Sequence, residues 1–130
     1  MSIQNKERHI AVIPARGGSK RLPRKNIIDF HGVPIIAHTI NAAKKAGIFD
    51  TVLVSTEDAE IAQVARAFGS AVDNRPEELS GDDVGISGVC MELLKRYATQ
   101  GISFATLTVL YATSPLRTAQ DIVSTWSLLE

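Results

Sequence analysis

The chain has 130 residues, enough for one domain around one core, and its 45% hydrophobic and 22% charged content is that of a soluble globular protein. Its 14 basic residues balance 14 acidic ones, which excludes a global electrostatic pull toward nucleic acid or a membrane surface. The single cysteine, Cys90, excludes an intrachain disulfide and suits a reducing cytosol, where it reads as a small buried hydrophobe.

The first segment, "MSIQNKERHIAVIPARGG", is polar, and its apolar run is too short for a signal peptide or a spanning helix. Within it "HIAVIPAR" (9–16) is rich in β-branched residues and predicts a buried strand. "VPIIAHTINAAKKAG" (33–47) predicts a helix, with Pro34 in its first turn and Gly47 at its end. "TVLVST" (51–56) predicts a second buried strand. In "EDAEIAQVARAFG" (57–69) a helical stripe carries Ile61, Val64, Ala65 and Phe68, Gly69 is the stop, and Asp58 and Glu60 read as part of a helix face. "SAVD" (70–73) predicts a short third strand.

After the polar stretch "RPEELSGDDVG" (75–85), Ile86, Val89, Cys90, Leu93, Leu94 and Tyr97 give the clearest helical period of the chain. "FATLTVLYAT" (104–113) predicts a fourth strand. Thr118 and Asp121 form a Thr-x-x-Asp helix start, followed by the stripe Ile122, Val123, Trp126 and Leu129. Apolar strands alternating with amphipathic helices predict an α/β fold: a doubly wound, mostly parallel sheet in three layers, Rossmann-like. The last apolar stripe still runs at Glu130 with no closing Gly, Asn or Pro. Residues 1–130 therefore read as the first part of something longer. Uncovered apolar surface would be met by a further segment or a homo-oligomeric partner.

Charge is distributed unevenly along this frame. "IPARGGSKRLPRKNI" (13–27) holds Arg16, Lys20, Arg21, Arg24 and Lys25 and no acid, so the rest of the chain carries a net charge of −5. The segment leaves the carboxyl end of the first strand, where open parallel sheets bind ligands. Gly17 and Gly18 allow a tight turn that offers backbone N–H groups, Ser19 adds a hydroxyl, and the cations add charge-assisted bonds. A polyphosphate would use all of these donors. The pattern is neither a Walker A loop nor a Gly-x-Gly-x-x-Gly fingerprint, and from chemistry alone a solvated basic turn stays open.

These residues resemble the signature of the CMP-sialic acid synthetase family, the cytidylyltransferases that activate nine-carbon acidic sugars. "PIIAHTINAA" (34–43), "VLVSTEDAEIAQVARAFG" (52–69), "RPEEL" (75–79) and "TSPLRTAQDI" (113–122) follow in the family's order and spacing. The resemblance implies a nucleotidyltransferase fold and Mg²⁺-dependent transfer of CMP from CTP to the anomeric hydroxyl of a nonulosonic acid, with release of pyrophosphate. It further implies that Arg16, Gly17, Gly18, Ser19 and Lys20 hold the triphosphate, with Arg16 and Lys25 as catalytic residues. Lys25 would stabilise charge as the α-phosphorus is attacked, Asn26 would contact the nucleotide and Arg75 would line its pocket. Tyr111, Thr113, Ser114 and Arg117 would lie toward the base and the acceptor sugar.

Three features depart from the family pattern. Tyr111 stands where sialic acid enzymes commonly carry Gln; Tyr111-Ala112-Thr113 looks more like the pseudaminic acid branch, while Ser114-Pro115-Leu116-Arg117 points to the sialic or legionaminic acid branch. Ser87 is the substitute for a nucleotide-binding hydroxyl, with Gly85 in the more expected position. The family's Asp-x-Asp metal ligands lie later than anything in this sequence, so Mg²⁺ is expected without ligands here. Glu77, Glu78, Asp82 and Asp83 read as a solvated turn, and His9, His31 and His38 show no ligand spacing. The expectation is a cytoplasmic CTP-binding half of a nonulosonate cytidylyltransferase, weakly active or inactive alone. The alternatives are a related enzyme using another acceptor such as Kdo, and a non-catalytic nucleotide- or partner-binding module.

Overall fold

The structure is a computed structural model and describes residues 8–15, 27, 29–30, 32–74 and 85–111. In chain order these form β1 (His9–Pro14), β2 (Asp29–Phe30), β3 (Val33–Pro34), α1 (Ile35–Ala46), β4 (Thr51–Thr56), α2 (Ala59–Ala67), β5 (Ala71–Asn74), α3 (Ile86–Thr99) and β6 (Thr106–Val109). Strands β5, β4, β1 and β6 line up in that order as one sheet, and every pairing in it is parallel. This is the doubly wound arrangement expected from the sequence, with β1 in its interior. The predicted helix after residue 117 lies outside the described residues.

Strand β1 explains the layering. Successive side chains of a strand point to opposite faces. Ala11, Ile13 and Ala15 join Ile36, Ile40 and Ala43 of α1, Val54 of β4, and Ile61 and Ala65 of α2 in one core cluster. Ile10 and Val12 point the other way and meet Leu53 of β4 and Leu93 of α3, with Tyr97, Phe104 and Leu107 packed around them. A strand buried on both faces has no polar position, which is why "HIAVIP" reads as a continuous apolar run.

Each helix ends for a physical reason. Gly47 closes α1 at φ 71°, a left-handed conformation open to glycine, and its N–H donates to Lys44 O. Asp58 caps α2: its carboxylate accepts from the N–H groups of Glu60 at 2.9 Å and Ile61 at 3.0 Å. Asp58 is thus the N-cap and not part of a helix face.

Other boundaries also differ from expectation. Residues 33 and 34 belong to a two-stranded antiparallel hairpin, Asp29 opposite Pro34 and Phe30 opposite Val33, and α1 starts only at Ile35. Gly32, at φ 87°, makes the reversal between these strands possible, a device the helical pattern beyond it concealed. Of the strand expected over 104–113, residues 112 and 113 lie outside the described residues, and within 104–111 regular pairing covers 106–109, although the Leu110 N–H still donates to Val12 O at 3.0 Å. Phe104 instead sets its ring edge-on to Tyr97, with centroids 5.1 Å apart. Cys90 is only partly buried, because Val89 and Leu93 occupy the inner side of α3.

The amino edge of the sheet is pinned by His9. Its N–H donates to the Asp50 carboxylate at 2.8 Å, and its Nδ1 lies 2.8 Å from Thr106 Oγ1. His9 therefore has a structural place, as its lack of ligand spacing suggested. No helix among the described residues is long and apolar enough to cross a membrane.

Candidate functional site

Strand order reverses between β1 and β6: from β1 the chain first adds β4 and β5 on one side, then returns to add β6 on the other. In an open parallel sheet the crevice outside the carboxyl ends at such a reversal is the ligand site, because the loops leaving the two strands diverge to opposite faces. β1 ends at Pro14, Ala15 follows, and the cationic segment 16–26 comes directly after it. β6 ends at Val109, and Leu110 and Tyr111 follow. Val12 pairs with Val109, so these two exits are neighbours on the same edge.

This placement is where the sequence reading and the fold meet. Arg16, Gly17, Gly18, Ser19, Lys20, Lys25, Asn26, Arg75, Thr113, Ser114 and Arg117 lie outside the described residues. Their segments leave from the described edge: 16–26 after Ala15, 75 directly after Asn74 of β5, and 113–117 shortly after Tyr111. Tyr111 is itself described and is 50% exposed. Ser87 falls in the first turn of α3, a different element from Tyr111 and from the end of β1.

Below this edge is a polar cluster that the sequence reading missed. Pro14, Ser55 and Asp73 form one row across β1, β4 and β5, since Pro14 pairs with Ser55 and Ser55 with Asp73. Ser55 is fully buried and Asp73 is 7% exposed. Arg96 of α3 holds the Asp73 carboxylate with both terminal nitrogens, Nη1 to Oδ1 at 2.6 Å and Nη2 to Oδ2 at 3.0 Å. Ser55 Oγ donates to Asp73 Oδ2 at 3.3 Å. Glu92, one turn earlier on α3, brings its carboxylate to 3.6 Å from Arg96 Nε.

The hydrogen bonds to Asp73 raise the pKa of the Arg96 guanidinium, burial opposes this, and the charges of Asp73 and Glu92 add to the rise. Burial likewise raises the Tyr97 phenol; Asp73 adds to the rise and Arg96 counters it. The signal was present in the sequence. Arg96 stands seven residues after Val89 and three after Leu93, beside the buried stripe of α3, with its side chain 42% exposed. Asp73, 7% exposed in β5, is the charge that needs a partner.

A cavity of about 220 Å³ opens beside this pair, with Leu53, Val72 and Leu93 as its apolar wall and Tyr97 and Gln100 on its rim. That is below the roughly 300–1,000 Å³ of an ordinary small-molecule site. It is too small for a nucleoside triphosphate, so this cavity is not the candidate nucleotide site. Among the described residues no group of three or more His, Cys, Asp or Glu converges to hold a metal ion. Asp73 is committed to Arg96, so these residues do not fit Mg²⁺ and no chemical step is derived through it.

Comparison with known proteins gives the same picture. A family model described as cytidylyltransferase matches residues 10–126. The chain is 43% identical over 110 residues to the pseudaminic acid cytidylyltransferase of Campylobacter jejuni, covering 84% of this chain and 47% of that protein. It is 40% identical over 116 residues to the CMP-N,N'-diacetyllegionaminic acid synthase of Legionella pneumophila, covering 88% and 50%. It is 41% identical over 113 residues to the N-acylneuraminate cytidylyltransferase A of Danio rerio, covering 86% and 25%. The chain thus spans about half the length, or less, of these relatives.

Among solved structures, CMP:2-keto-3-deoxy-manno-octonic acid synthetase complexed with CTP superposes with a TM-score of 0.77 at 25% identity, over 95% of this chain and 47% of that one. A nucleotidyl transferase of Methanothermobacter shares the fold, with a TM-score of 0.70 at 18% identity over 92% and 56%. With a family match over most of its length and the parallel sheet that family uses, the chain belongs to the cytidylyltransferase family.

Proposed function

We propose that this chain is the CTP-binding half of a nonulosonate cytidylyltransferase, which joins CMP to the anomeric hydroxyl of a nine-carbon acidic sugar and releases pyrophosphate. One observation carries the reading: the cationic segment after Ala15 leaves β1 at the reversal of strand order, next to the exit of β6. Attack of the sugar hydroxyl on the α-phosphorus needs the two groups held in line and the charge on the phosphate oxygens neutralised. Arg16, Lys20 and Lys25 supply positive charge, Gly17 and Gly18 supply backbone donors, and Asn26 and Arg75 contact the nucleotide. Ser87 is assigned to the nucleotide, and Tyr111, Thr113, Ser114 and Arg117 to the base and the acceptor sugar.

Pseudaminic acid is the favoured acceptor. The Tyr111-Ala112-Thr113 segment and the 43% identity to a pseudaminic acid enzyme both support it. Mg²⁺ is proposed as the cofactor, which when bound would neutralise phosphate charge; no residue of this chain is assigned to hold it. The completed enzyme is proposed to work in the cytoplasm, with the remaining segment or a second copy covering the sheet.

Titration of the 130-residue chain with CTP tests the reading. Saturable, weak binding that is lost in Lys25→Ala and Arg16→Ala is expected, with negligible pyrophosphate release when pseudaminic acid is added. Absence of CTP binding overturns the proposal. Pyrophosphate release by this chain alone would overturn its being only half of the site.

A further inference from the structure

The polar row beneath the carboxyl edge has a cost that packing does not explain. Asp73 is 7% exposed and loses its water on burial, while the Arg96 side chain that holds it is 42% exposed, so solvent screens the pair and it adds little stability. One row lower, the same face of β4 is apolar, with Leu53 packed among Ile10, Val12 and Leu93. The change from Leu53 to Ser55 and Asp73 falls at the end of the sheet where the candidate nucleotide site begins.

What a bidentate pair provides is fixed geometry. The planar guanidinium of Arg96 sets both the distance and the plane of the Asp73 carboxylate. Asp73 Oδ2 then accepts from Ser55 Oγ at 3.3 Å. The carbonyl oxygen of Ser55 accepts the Ala15 N–H at 2.9 Å. Ala15 is fully packed and is the residue immediately before Arg16. Hydrogen bonds to Asp73 and to the hydroxyl and carbonyl of Ser55, joined through the Ser55 residue itself, therefore link α3 with the ends of β5 and β4 and the exit of β1.

The geometry assigns Arg96 as a positioning residue for nucleotide binding, acting through Asp73 and Ser55 on Ala15. This rests on the reading of the β1 exit as the CTP site. Arg96 itself touches no nucleotide; its effect is to hold the backbone from which the phosphate-binding segment departs. Misplacing binding groups by about 1 Å from a distance can cost up to about a hundredfold in function.

The experiment compares wild type, Arg96→Met, Arg96→Lys and Ser55→Ala in the same chain by CTP titration, thermal melting and amide hydrogen exchange. Arg96→Met is expected to weaken CTP binding on the order of tenfold. It is expected to speed exchange of the Ala15 amide while leaving that of Ile40, in α1 on the opposite face, unchanged. Arg96→Lys keeps the charge and loses the fork, so its loss falls between wild type and Arg96→Met, and Ser55→Ala gives a smaller loss than Arg96→Met. If Arg96→Met does not fold, Arg96→Lys and Ser55→Ala carry the comparison. Wild-type CTP affinity in the folded variants overturns the positioning role alone. Exchange that accelerates equally at Ala15 and Ile40 also overturns it, since the pair would then serve only global stability. A wild-type chain that does not bind CTP overturns both this role and the proposed function.

Discussion

On the α1/α2 face the sheet meets side chains that are mainly apolar, with Ile13, Ile36, Ile40, Val54 and Ile61 fully buried and the uncharged hydroxyls of Thr39 and Thr56 buried beside them. On the α3 face the same strands present a smaller apolar set, Ile10, Val12 and Leu53 against Leu93, and then turn polar at Ser55 and Asp73. The first face gains its free energy from area removed from water. The second gives up part of that gain to hold a charged pair at fixed geometry near the edge where the chain's cations emerge. Stability and positioning are thus assigned largely to opposite faces of one sheet.

Breaking the apolar face should have the largest effect. Ile40→Ala removes a fully buried side chain from the centre of α1's packing and should cost about 3 kcal/mol. For a chain of this length that lowers Tm on the order of 10 °C in a thermal melt. Leu93→Ala tests the other face. Leu93 is 2% exposed, but a cavity already borders it, so fewer atoms lose contacts when it is truncated. A cost of about 2 kcal/mol is expected from chemical denaturation, at the lower end for such substitutions. A larger loss for Leu93→Ala than for Ile40→Ala would reverse the comparison.

The capping comparison is a step smaller. The α2 helix starts with Asp58 accepting two backbone N–H groups, whereas α3 starts at Gly85 with no side-chain cap. Asp58→Ala should lower stability by about 1 kcal/mol in urea unfolding. An effect below a few tenths would mean that tertiary packing alone fixes the start of α2.

Most of this architecture was legible in the sequence, for a reason that also explains the gaps. Doubly buried strands and amphipathic helices write their burial directly into residue type, so "HIAVIP" and "TVLVST" identify themselves. Gly47 and Gly69 mark their turns because their φ values, 71° and 84°, are strained for other residues. The β2–β3 hairpin was not legible, since paired strands of two residues each carry no periodicity. The Asp73–Arg96 pair was half legible: Arg96 lies beside the apolar stripe of α3, where a search for apolar residues passes over it, and pairing across 23 residues depends on the fold. The cationic segment announced its chemistry by composition, but only strand order places its start beside the exit of β6.

The charged end of the α3 face also predicts a pH dependence. Burial raises the Tyr97 phenol above its ordinary value of 10.0, so folding favours the neutral form. This contribution is complete below about pH 10 and is lost as pH rises through the native value. Tyr97→Phe keeps the edge-on contact with Phe104 and removes the ionisable group. Its Tm should fall less than that of wild type as pH rises above about 10, where the raised phenol loses its proton. Equal alkaline losses in the two proteins would show that Tyr97 contributes nothing to that slope.

The smallest effect expected is a gain, and it sharpens the contrast between the faces most directly. Gly85 has extended backbone, φ −76° and ψ 157°, and a Cβ placed there would meet nothing within 4 Å. Serine can adopt this conformation without strain and can cap the start of α3 with its hydroxyl. It also removes conformational freedom that glycine has in the unfolded chain. Gly85→Ser should therefore raise stability by about 0.5 kcal/mol. If positioning is separate from stability, that gain does not weaken CTP binding, because the cap does not touch the Arg96–Asp73–Ser55 row. A gain in stability accompanied by weaker CTP binding would instead mean that the open start of α3 is kept for the nucleotide. The bare Gly85 cap would then join the polar row as a second place where the α3 face gives up stability for the site.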